Sequence, residues 1–362
     1  MNNPKNKGRR IKRTLIGIAI LFALSSFWLL NTFRYKGVVE QISFSSDEVT
    51  MKGLYIKPDA PGPYPSVVLL HGSGPLPADG PPVRVIANAL LKHGVAVLCY
   101  DKRGVGASGG TFRHNAYDDF VEDGINAVHY LNSRNDVDHK AIGLLGSSEG
   151  SIIAPEIALR SKSVAFVIHR AGIAVDAIEC NLWEQRHEQI DRGISGDLLE
   201  DSIRLQQLIF EMLVESKKDP KTVESESWHQ VDAEIVSFNQ KYRSNETWIK
   251  HGKRFGNKLA DWERFFEGVA SAIAYDPQPF IEQLDIPMLY IFAEKDENVP
   301  TSASVKYLKS LKMNSSKQLD IRIIPDVDHS MITPISFVRT GSFVPQFLDA
   351  MGPWIHKRFP SP

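Results

Sequence analysis

One pentapeptide in the sequence has the residue types and spacing of a nucleophile turn: Gly146-Ser147-Ser148-Glu149-Gly150. It follows the apolar run Ala141–Leu145 and precedes a helical pattern that begins near Ser151. This is the strand–turn–helix context that a Gly-x-Ser-x-Gly turn requires. The flanking glycines permit a tight turn, and the helix N-terminus supplies partial positive charge beside the hydroxyl. The pattern predicts that Ser148 is a nucleophile; an ordinary Gly/Ser-rich loop is the alternative.

A base and an acid that could activate Ser148 follow later strands. A serine hydroxyl is a poor nucleophile until a base takes its proton. Of the eleven histidines, His329 comes directly after the last predicted strand, and Asp296 follows the strand before it. The chain order Ser148, Asp296, His329 is the order typical of this turn, so we predict a triad of these residues. Three other carboxylates remain rivals for the acid: Glu294, Glu297 and Asp176.

A second glycine-containing loop could stabilise negative charge on a reacting oxygen. His71-Gly72-Ser73-Gly74-Pro75 follows the apolar run Ser66–Leu70, and its glycines would let a backbone amide approach a developing oxyanion. We expect the amides of Ser73 and Glu149 to form the oxyanion hole. The residues expected to support these loops are His71, Gly72, Gly74, Gly146 and Gly150.

The elements that must position these residues alternate between strand and helix. Two alternating runs around Ser45–Glu48 indicate a hairpin, and the later apolar runs are short and uniformly apolar, as strands buried on both faces of a parallel sheet are. This alternation predicts an α/β, doubly wound, mostly parallel sheet. The predicted strands are Val38–Phe44, Val49–Ile56, Ser66–Leu70, Val95–Tyr100, Ala141–Leu145, Val164–Ile168, Met288–Phe292 and Leu319–Ile324. The predicted helices are Pro82–His93, Tyr117–Ser133, Ser151–Arg160, Thr301–Lys312 and Val344–Arg358.

One long stretch interrupts the alternation. Residues 174–275 show amphipathic helical patterns and no convincing strand, with a loop expected over Ser216–Ser227. Aromatic residues are frequent there: Trp228, Trp248, Trp262, Phe265 and Phe266. We interpret residues 174–275 as a helical cap inserted into a core formed by residues 37–173 and 276–362.

Together, these motifs resemble the α/β-hydrolase family over roughly residues 38–359. The resemblance is to a bacterial branch similar to dienelactone hydrolases, acyl-CoA thioesterases and the catalytic domains of prolyl oligopeptidase-type peptidases, and it extends to Tyr100–Ser108 and Asp285–Pro300. It implies that Asp296 orients His329, which activates Ser148. No Cys/His spacing resembles a zinc site, and we expect neither a metal nor a cofactor. The chain departs from the family pattern at two positions without losing a catalytic group, having Ser147 where His or Tyr is frequent and Ala293 where Gly is usual.

The N-terminus differs in charge from the rest of the chain. Residues 1–39 hold eight basic and no acidic residues, whereas the other 34 basic residues face 43 acidic ones. Residues 14–33 are uncharged and long enough, at about 1.5 Å per residue, to cross a bilayer. With six basic residues before this segment, the positive-inside rule predicts that residues 1–36 form a cytoplasmic stub and signal anchor, with the catalytic domain outside the cytoplasm. The alternative is a cleaved signal peptide and a secreted enzyme.

Composition narrows the remaining possibilities. The net charge of −1 gives no indication of nucleic-acid binding, and the two cysteines among 362 residues exclude a disulfide-rich scaffold.

Three hypotheses about the function remain. The first is a membrane-anchored serine hydrolase acting on small-molecule carboxylic esters or thioesters, the second a serine peptidase of prolyl oligopeptidase type, and the third a non-catalytic binding module. The sequence gives no indication of the oligomeric state.

Overall fold

The structure is a computed structural model that describes residues 33–113, 116–252, 256, 258–261, 273–340 and 343–360, with residues 14–18, 20–22, 25 and 28 before them. Its strands are β1 (Val38–Ser46), β2 (Val49–Lys57), β3 (Tyr64–Leu70), β4 (Ala96–Tyr100), β5 (Val137–Ser147), β6 (Phe166–Arg170), β7 (Met288–Ala293) and β8 (Leu319–Ile324). In the described part of the chain these eight strands form one sheet in the order β1-β2-β4-β3-β5-β6-β7-β8.

The sheet is antiparallel only at one edge. β1 pairs antiparallel with β2 and β2 with β4. The remaining neighbours in the sheet, from β4 and β3 across to β8, pair in parallel. The predicted hairpin is therefore present, with its turn at Asp47 and Glu48 between the paired Ser46 and Val49. The parallel strands put their carboxyl ends at one edge, which is where the loops that follow β3, β5, β7 and β8 must meet.

Helices cover both faces of the sheet. In chain order they are α1 (Pro81–Leu91), α2 (Tyr117–Asn132), α3 (Glu149–Ser161), α4 (Ala177–Asp191), α5 (Gly196–Lys218), α6 (Glu226–Lys241), α7 (Glu246–His251), α8 (Gln278–Gln283), α9 (Thr301–Asn314), α10 (Pro334–Thr340) and α11 (Pro345–Arg358). Side chains of α2, α3 and α9 share one buried apolar cluster with the sheet, and those of α1 and α11 share another. β3, β4, β6 and β7 are buried along their whole length because helices cover both of their sides. The sequence patterns located the strands and longer helices, but missed the short helices α8 and α10.

Between β6 and β7, the described residues are helical. α4 to α7 lie there, with a 3₁₀-helix over Pro220–Glu224, and many of their apolar side chains, including Trp228 and Trp248, pack into a third cluster apart from the sheet. The prediction of a loop over Ser216–Ser227 was partly wrong, because α5 extends to Lys218 and the 3₁₀-helix fills most of the remainder. Three of the aromatic residues expected to lie there are outside the described residues: Trp262, Phe265 and Phe266.

The predicted anchor falls only partly within the described residues. Residues 1–13 and nine positions between 19 and 32 are not described. Among those that are, no helix is both long enough and apolar enough to cross a membrane.

Candidate active site

The predicted nucleophile lies at the junction of β5 and α3. Ser148 has a positive φ of 51° with ψ of −116°, a conformation that few residues other than glycine adopt. Its amide donates to the backbone oxygen of Arg170 at 2.9 Å, and its own carbonyl accepts from the amide of Ser151 at 2.8 Å. These bonds hold the turn in its strained shape and keep the hydroxyl at the carboxyl edge of the sheet.

The glycines on either side are required by close backbone approach. A Cβ at Gly150 would lie 2.4 Å from the backbone oxygen of Leu70, at the end of β3. A Cβ at Gly146 would lie 2.5 Å from the oxygen of Gly150 itself. Both distances are shorter than real side chains show, so α3 can begin this close to β3 and β5 only with glycine at both positions.

The structure brings Ser148, His329 and Asp296 together. His329 Nε2 lies 3.1 Å from Ser148 Oγ, and His329 Nδ1 lies 2.9 and 3.0 Å from the two carboxylate oxygens of Asp296. When Nδ1 carries the proton and donates to the carboxylate, Nε2 can accept from the serine hydroxyl. The Asp296 side chain is 1% exposed and the His329 side chain 24%, so the histidine is open to the site and the acid is shielded behind it.

The loop after β7 fixes the carboxylate. Asp296 Oδ1 accepts hydrogen bonds from the amides of Asn298 at 3.0 Å and Val299 at 2.9 Å. The sequence left rivals for this acid, and the structure gives two of them other roles. Asp176 caps α4 through the amide of Glu179, and Glu294 accepts from the amide of Asp326.

The glycine loop after β3 lies against the nucleophile turn. A Cβ built on Gly72 would lie 3.5 Å from Ser148 Cβ, and Gly74 has a φ of 92°, which favours glycine. Gly72, Ser73, Ser148 and Glu149 line one cavity. Glu149 is the first residue of α3, so its amide has no acceptor within the helix. Both amides expected in the oxyanion hole therefore belong to segments beside the Ser148 hydroxyl.

His71 supports this loop as a buried and uncharged side chain. It is buried, its Nε2 lies 2.9 Å from the backbone oxygen of Tyr100, and Cys99 Sγ lies 3.3 Å from the same nitrogen. Burial lowers the pKa of His71 to about 4. The imidazole is therefore neutral near pH 7, where it links the ends of β3 and β4.

Sequence reasoning missed Arg170, the last residue of β6. Its guanidinium is buried, donates to Ser147 Oγ at 2.8 Å, and donates to the backbone oxygens of His329 and Ser330 at 3.0 and 2.6 Å. Burial lowers its pKa to about 10. Arg170 thus ties the nucleophile turn to the histidine loop. The predicted strand Val164–Ile168 ended two residues too early to include it.

Sequence reasoning also missed a buried ion pair beside the nucleophile. Lys102 Nζ lies 2.6 Å from Glu149 Oε2, with the two side chains 7% and 4% exposed, and it donates to the backbone oxygen of Gly72 at 2.6 Å. Burial lowers the pKa of Lys102, against the opposing effect of the Glu149 carboxylate. The neighbouring Arg103 forms a separate ion pair with Asp123 at 2.7 Å. A buried glutamate needs a cation, but the burial of Glu149 cannot be inferred from the sequence, so no local signal indicated Lys102.

The site opens into a cavity of about 680 Å³. Leucine, isoleucine, valine and phenylalanine side chains form much of its wall, and α4 contributes Ala177, Cys180, Asn181 and Glu184. Burial raises the pKa of the Cys180 thiol, which is therefore neutral. Among the described residues, no group of three or more His, Cys, Asp or Glu side chains could hold a metal ion. The arrangement can activate a serine, shield the leaving group and hold an apolar substrate part.

Known proteins share this sequence pattern and fold. Residues 67–334 match the model of the alpha/beta hydrolase family. Esterase EstD of Thermotoga maritima is 27% identical over 339 residues, which cover 88% of this chain and 69% of that protein. Two solved structures share the fold at low identity. The Pyrococcus furiosus esterase Pf2001 is 15% identical with a TM-score of 0.52, covering 89% of this chain and 91% of that one. The alpha/beta hydrolase GrgF from Penicillium sp. sh18 is 18% identical with a TM-score of 0.53, covering 88% and 98%. Because the family model spans most of the sequence, this chain belongs to the alpha/beta hydrolase family.

Proposed function

We propose that the chain is a serine hydrolase that cleaves carboxylic esters or thioesters through an acyl-enzyme on Ser148. The observation that carries this proposal is the hydrogen-bonded series from Ser148 through His329 to Asp296 at the wall of a cavity. The similarity to a protein named esterase favours esters within the family's range of reactions.

Each residue has a role that follows from its contacts. Ser148 Oγ attacks the carbonyl carbon while His329 Nε2 takes the hydroxyl proton, and the Asp296 carboxylate stabilises the imidazolium. The carbonyl oxygen becomes an oxyanion that accepts from the amides of Ser73 and Glu149. When the tetrahedral intermediate collapses, the alcohol or thiol leaves with the proton from Nε2. Water then attacks the acyl-enzyme with His329 as base, which releases the acid and restores Ser148.

The helical segment of residues 174–275 acts as a cap in this proposal. α4 supplies part of the cavity wall, and Trp183 Nε1 donates to the backbone oxygen of Asp296 at 3.1 Å, so the segment is tied to the acid loop. The apolar wall suits a hydrophobic acyl or alcohol group, and closure over it would exclude water from the oxyanion.

We also propose that residues 14–33 anchor the enzyme to a membrane, with the hydrolase outside the cytoplasm. The last residue of this segment and the residues after it are held against α1, where Arg84 donates to the backbone oxygen of Phe33 and Asn88 binds the backbone of Arg34 and Lys36. Since α1 also lines the cavity, the anchor would keep the cavity near the membrane. Deleting residues 1–33 should move the activity from the membrane fraction to the soluble fraction; activity that stays with the membrane contradicts the anchor.

A fluorophosphonate probe tests the central assignment. Wild-type protein should be labelled on Ser148, and Ser148→Ala should lose the label and at least about 10⁴-fold in kcat on p-nitrophenyl esters. Ser147→Ala, at the neighbouring hydroxyl, serves as the matched control and should still be labelled. Labelling that persists in Ser148→Ala overturns the nucleophile, and an unlabelled wild-type protein favours the non-catalytic module.

A substrate panel then tests the bond that is cleaved. The panel offers the same triad three leaving groups: an alcohol from p-nitrophenyl esters, a thiol from acyl-CoA thioesters and an amine from aminoacyl-nitroanilides. We expect turnover of esters or thioesters. Turnover of nitroanilides alone would replace this assignment with a peptidase.

A further inference from the structure

The oxyanion loop contains a peptide unit whose direction decides whether the loop can work. The carbonyl of Gly72 and the amide of Ser73 belong to one planar trans peptide, so they point in opposite directions. If this unit rotated by half a turn, the Ser73 N–H would leave the site and the Gly72 oxygen would enter it. Because Ser73 has a glycine on each side, few steric barriers oppose such a rotation.

Lys102 binds the carbonyl end of this peptide unit. Its ammonium donates to the Gly72 oxygen at 2.6 Å, and a second contact of 2.6 Å joins it to Glu149 Oε2. The ring of Phe120 lies 4.7 Å from the same nitrogen. Lys102 and Glu149 are buried, so water competes little for these bonds. The same lysine therefore contacts both segments whose amides we assign to the oxyanion hole.

We propose that Lys102 is a positioning residue that sets the orientation of the Gly72–Ser73 peptide and its distance from Glu149, and thereby assembles the oxyanion hole. The proposal rests on the proposed function, because it assigns a part in that same acyl transfer. A charged donor on the carbonyl also polarises the peptide and strengthens its N–H as a donor. Lys102 touches no reacting atom, so its effect passes through the backbone.

The ion pair is poorly explained by stability alone. A buried pair loses much of its Coulomb energy to desolvation, and apolar replacements of similar volume are often neutral or stabilising. The contact with Gly72 is what an apolar pair could not reproduce. A neutral pair at these positions therefore separates folding from positioning, since it removes the tether without leaving an unpaired charge.

The test compares five variants of the full-length protein, one of which is Lys102→Met alone. Lys102→Met with Glu149→Met removes the tether and both charges, while both backbone amides remain. Glu149→Gln keeps the ammonium on Gly72, and Lys102→Arg keeps donors that can reach both partners. Lys317→Met is the matched control, because Lys317 is equally buried and binds the Leu284 backbone oxygen and Asp285 at the opposite edge of the sheet.

We expect the double Met variant to keep its thermal unfolding midpoint within a few degrees while kcat on p-nitrophenyl esters falls roughly ten- to a hundredfold. KM should stay within about threefold, and the inhibition constant of an alkyl boronic acid, whose tetrahedral adduct fills the oxyanion hole, should rise in parallel with the fall in kcat/KM. Glu149→Gln should lose less than the double variant, Lys102→Arg should recover part of kcat relative to Lys102→Met, and Lys317→Met should keep the wild-type kcat.

Two results would overturn the proposal. One is a folded double variant with wild-type kcat and boronate affinity. The other is a Lys102→Arg variant no more active than Lys102→Met at equal stability. Either result leaves the triad assignment intact as long as Ser148 is labelled by the fluorophosphonate probe. Failure of the positioning role of Lys102 and failure of the proposed function are therefore distinguishable.

Discussion

Replacing Arg170 with methionine should separate kcat from stability, because this arginine joins two catalytic loops. The change removes the hydrogen bonds to Ser147 Oγ and to the backbone oxygens of His329 and Ser330. It also removes a buried guanidinium whose Nε–H has no hydrogen-bond partner among the described residues. Losing the hydrogen bonds lowers the free energy of unfolding, whereas removing the buried charge raises it.

The magnitudes follow from these contacts. A hydrogen bond from a charged donor is worth about 1.5–3 kcal/mol, and three are lost. The desolvation that lowers the pKa of Arg170 from 12.5 to about 10 corresponds to roughly 3 kcal/mol, which is regained when the charge is removed. We therefore expect the free energy of unfolding to fall by about 2–6 kcal/mol. The histidine loop, however, loses its attachment to the nucleophile turn, and a displacement of about 1 Å costs roughly a hundredfold in kcat.

The assay measures kcat and KM on a p-nitrophenyl ester beside urea unfolding of the same samples. Arg358→Met is a suitable control, because Arg358 stacks on Trp354 and pairs with Asp320 at 2.6 Å, far from the carboxyl edge of the sheet. It should lose stability and keep kcat. If Arg170→Met loses stability to the same degree and also keeps kcat, the arginine only stabilises the fold and the argument fails.

Three further outcomes are expected. Asp296→Asn should lower kcat about 10³- to 10⁴-fold with little change in unfolding, because its amide would favour the wrong tautomer of His329; steady-state kinetics checks this. Gly150→Ala should cost about 2–3 kcal/mol in urea unfolding, because the new Cβ meets the Leu70 oxygen at 2.4 Å. Burial lowers the pKa of His71 to about 4, below the unfolded value of about 6.5. The unfolded chain therefore binds the extra proton, and the free energy of unfolding should fall by up to about 3 kcal/mol between pH 7 and 4. Urea unfolding at pH 7 and 5 should show a smaller difference in His71→Gln than in wild type.

Local patterns were sufficient for the sheet and for the residues at its strand ends. Each apolar run of five to seven residues could be read as a buried strand, and the turn around Ser148 lies within five consecutive residues. Parallel strands then place Ser148, Asp296 and His329 at one edge without further information. That reasoning leaves open which carboxylate faces the histidine, since Glu294 and Asp296 are only two residues apart, and the amides of Asn298 and Val299 favour Asp296.

Lys102 and Arg170 could not be found in this way, because their partners are distant in sequence. Lys102 is 47 residues from Glu149, and Arg170 is 159 residues from His329. Neither residue belongs to a local motif that distinguishes a buried cation from an exposed one. Helix and strand periodicity reports which side chains are buried against the sheet, but it does not report the carbonyl groups that a folded loop leaves without donors.

Those carbonyl groups explain why two cations are buried at this site at all. The loops that carry the histidine and the oxyanion amide are irregular, and no backbone amide within the described residues donates to the oxygens of Gly72, His329 and Ser330. An apolar side chain in place of either cation would leave such an oxygen unsatisfied, at about 1–3 kcal/mol each. Lysine and arginine reach several acceptors from one nitrogen or one guanidinium, and their partners come from different loops. The desolvation cost of these cations is therefore offset by bonds that also align the catalytic segments, so removing either should lower kcat even in a variant that still folds.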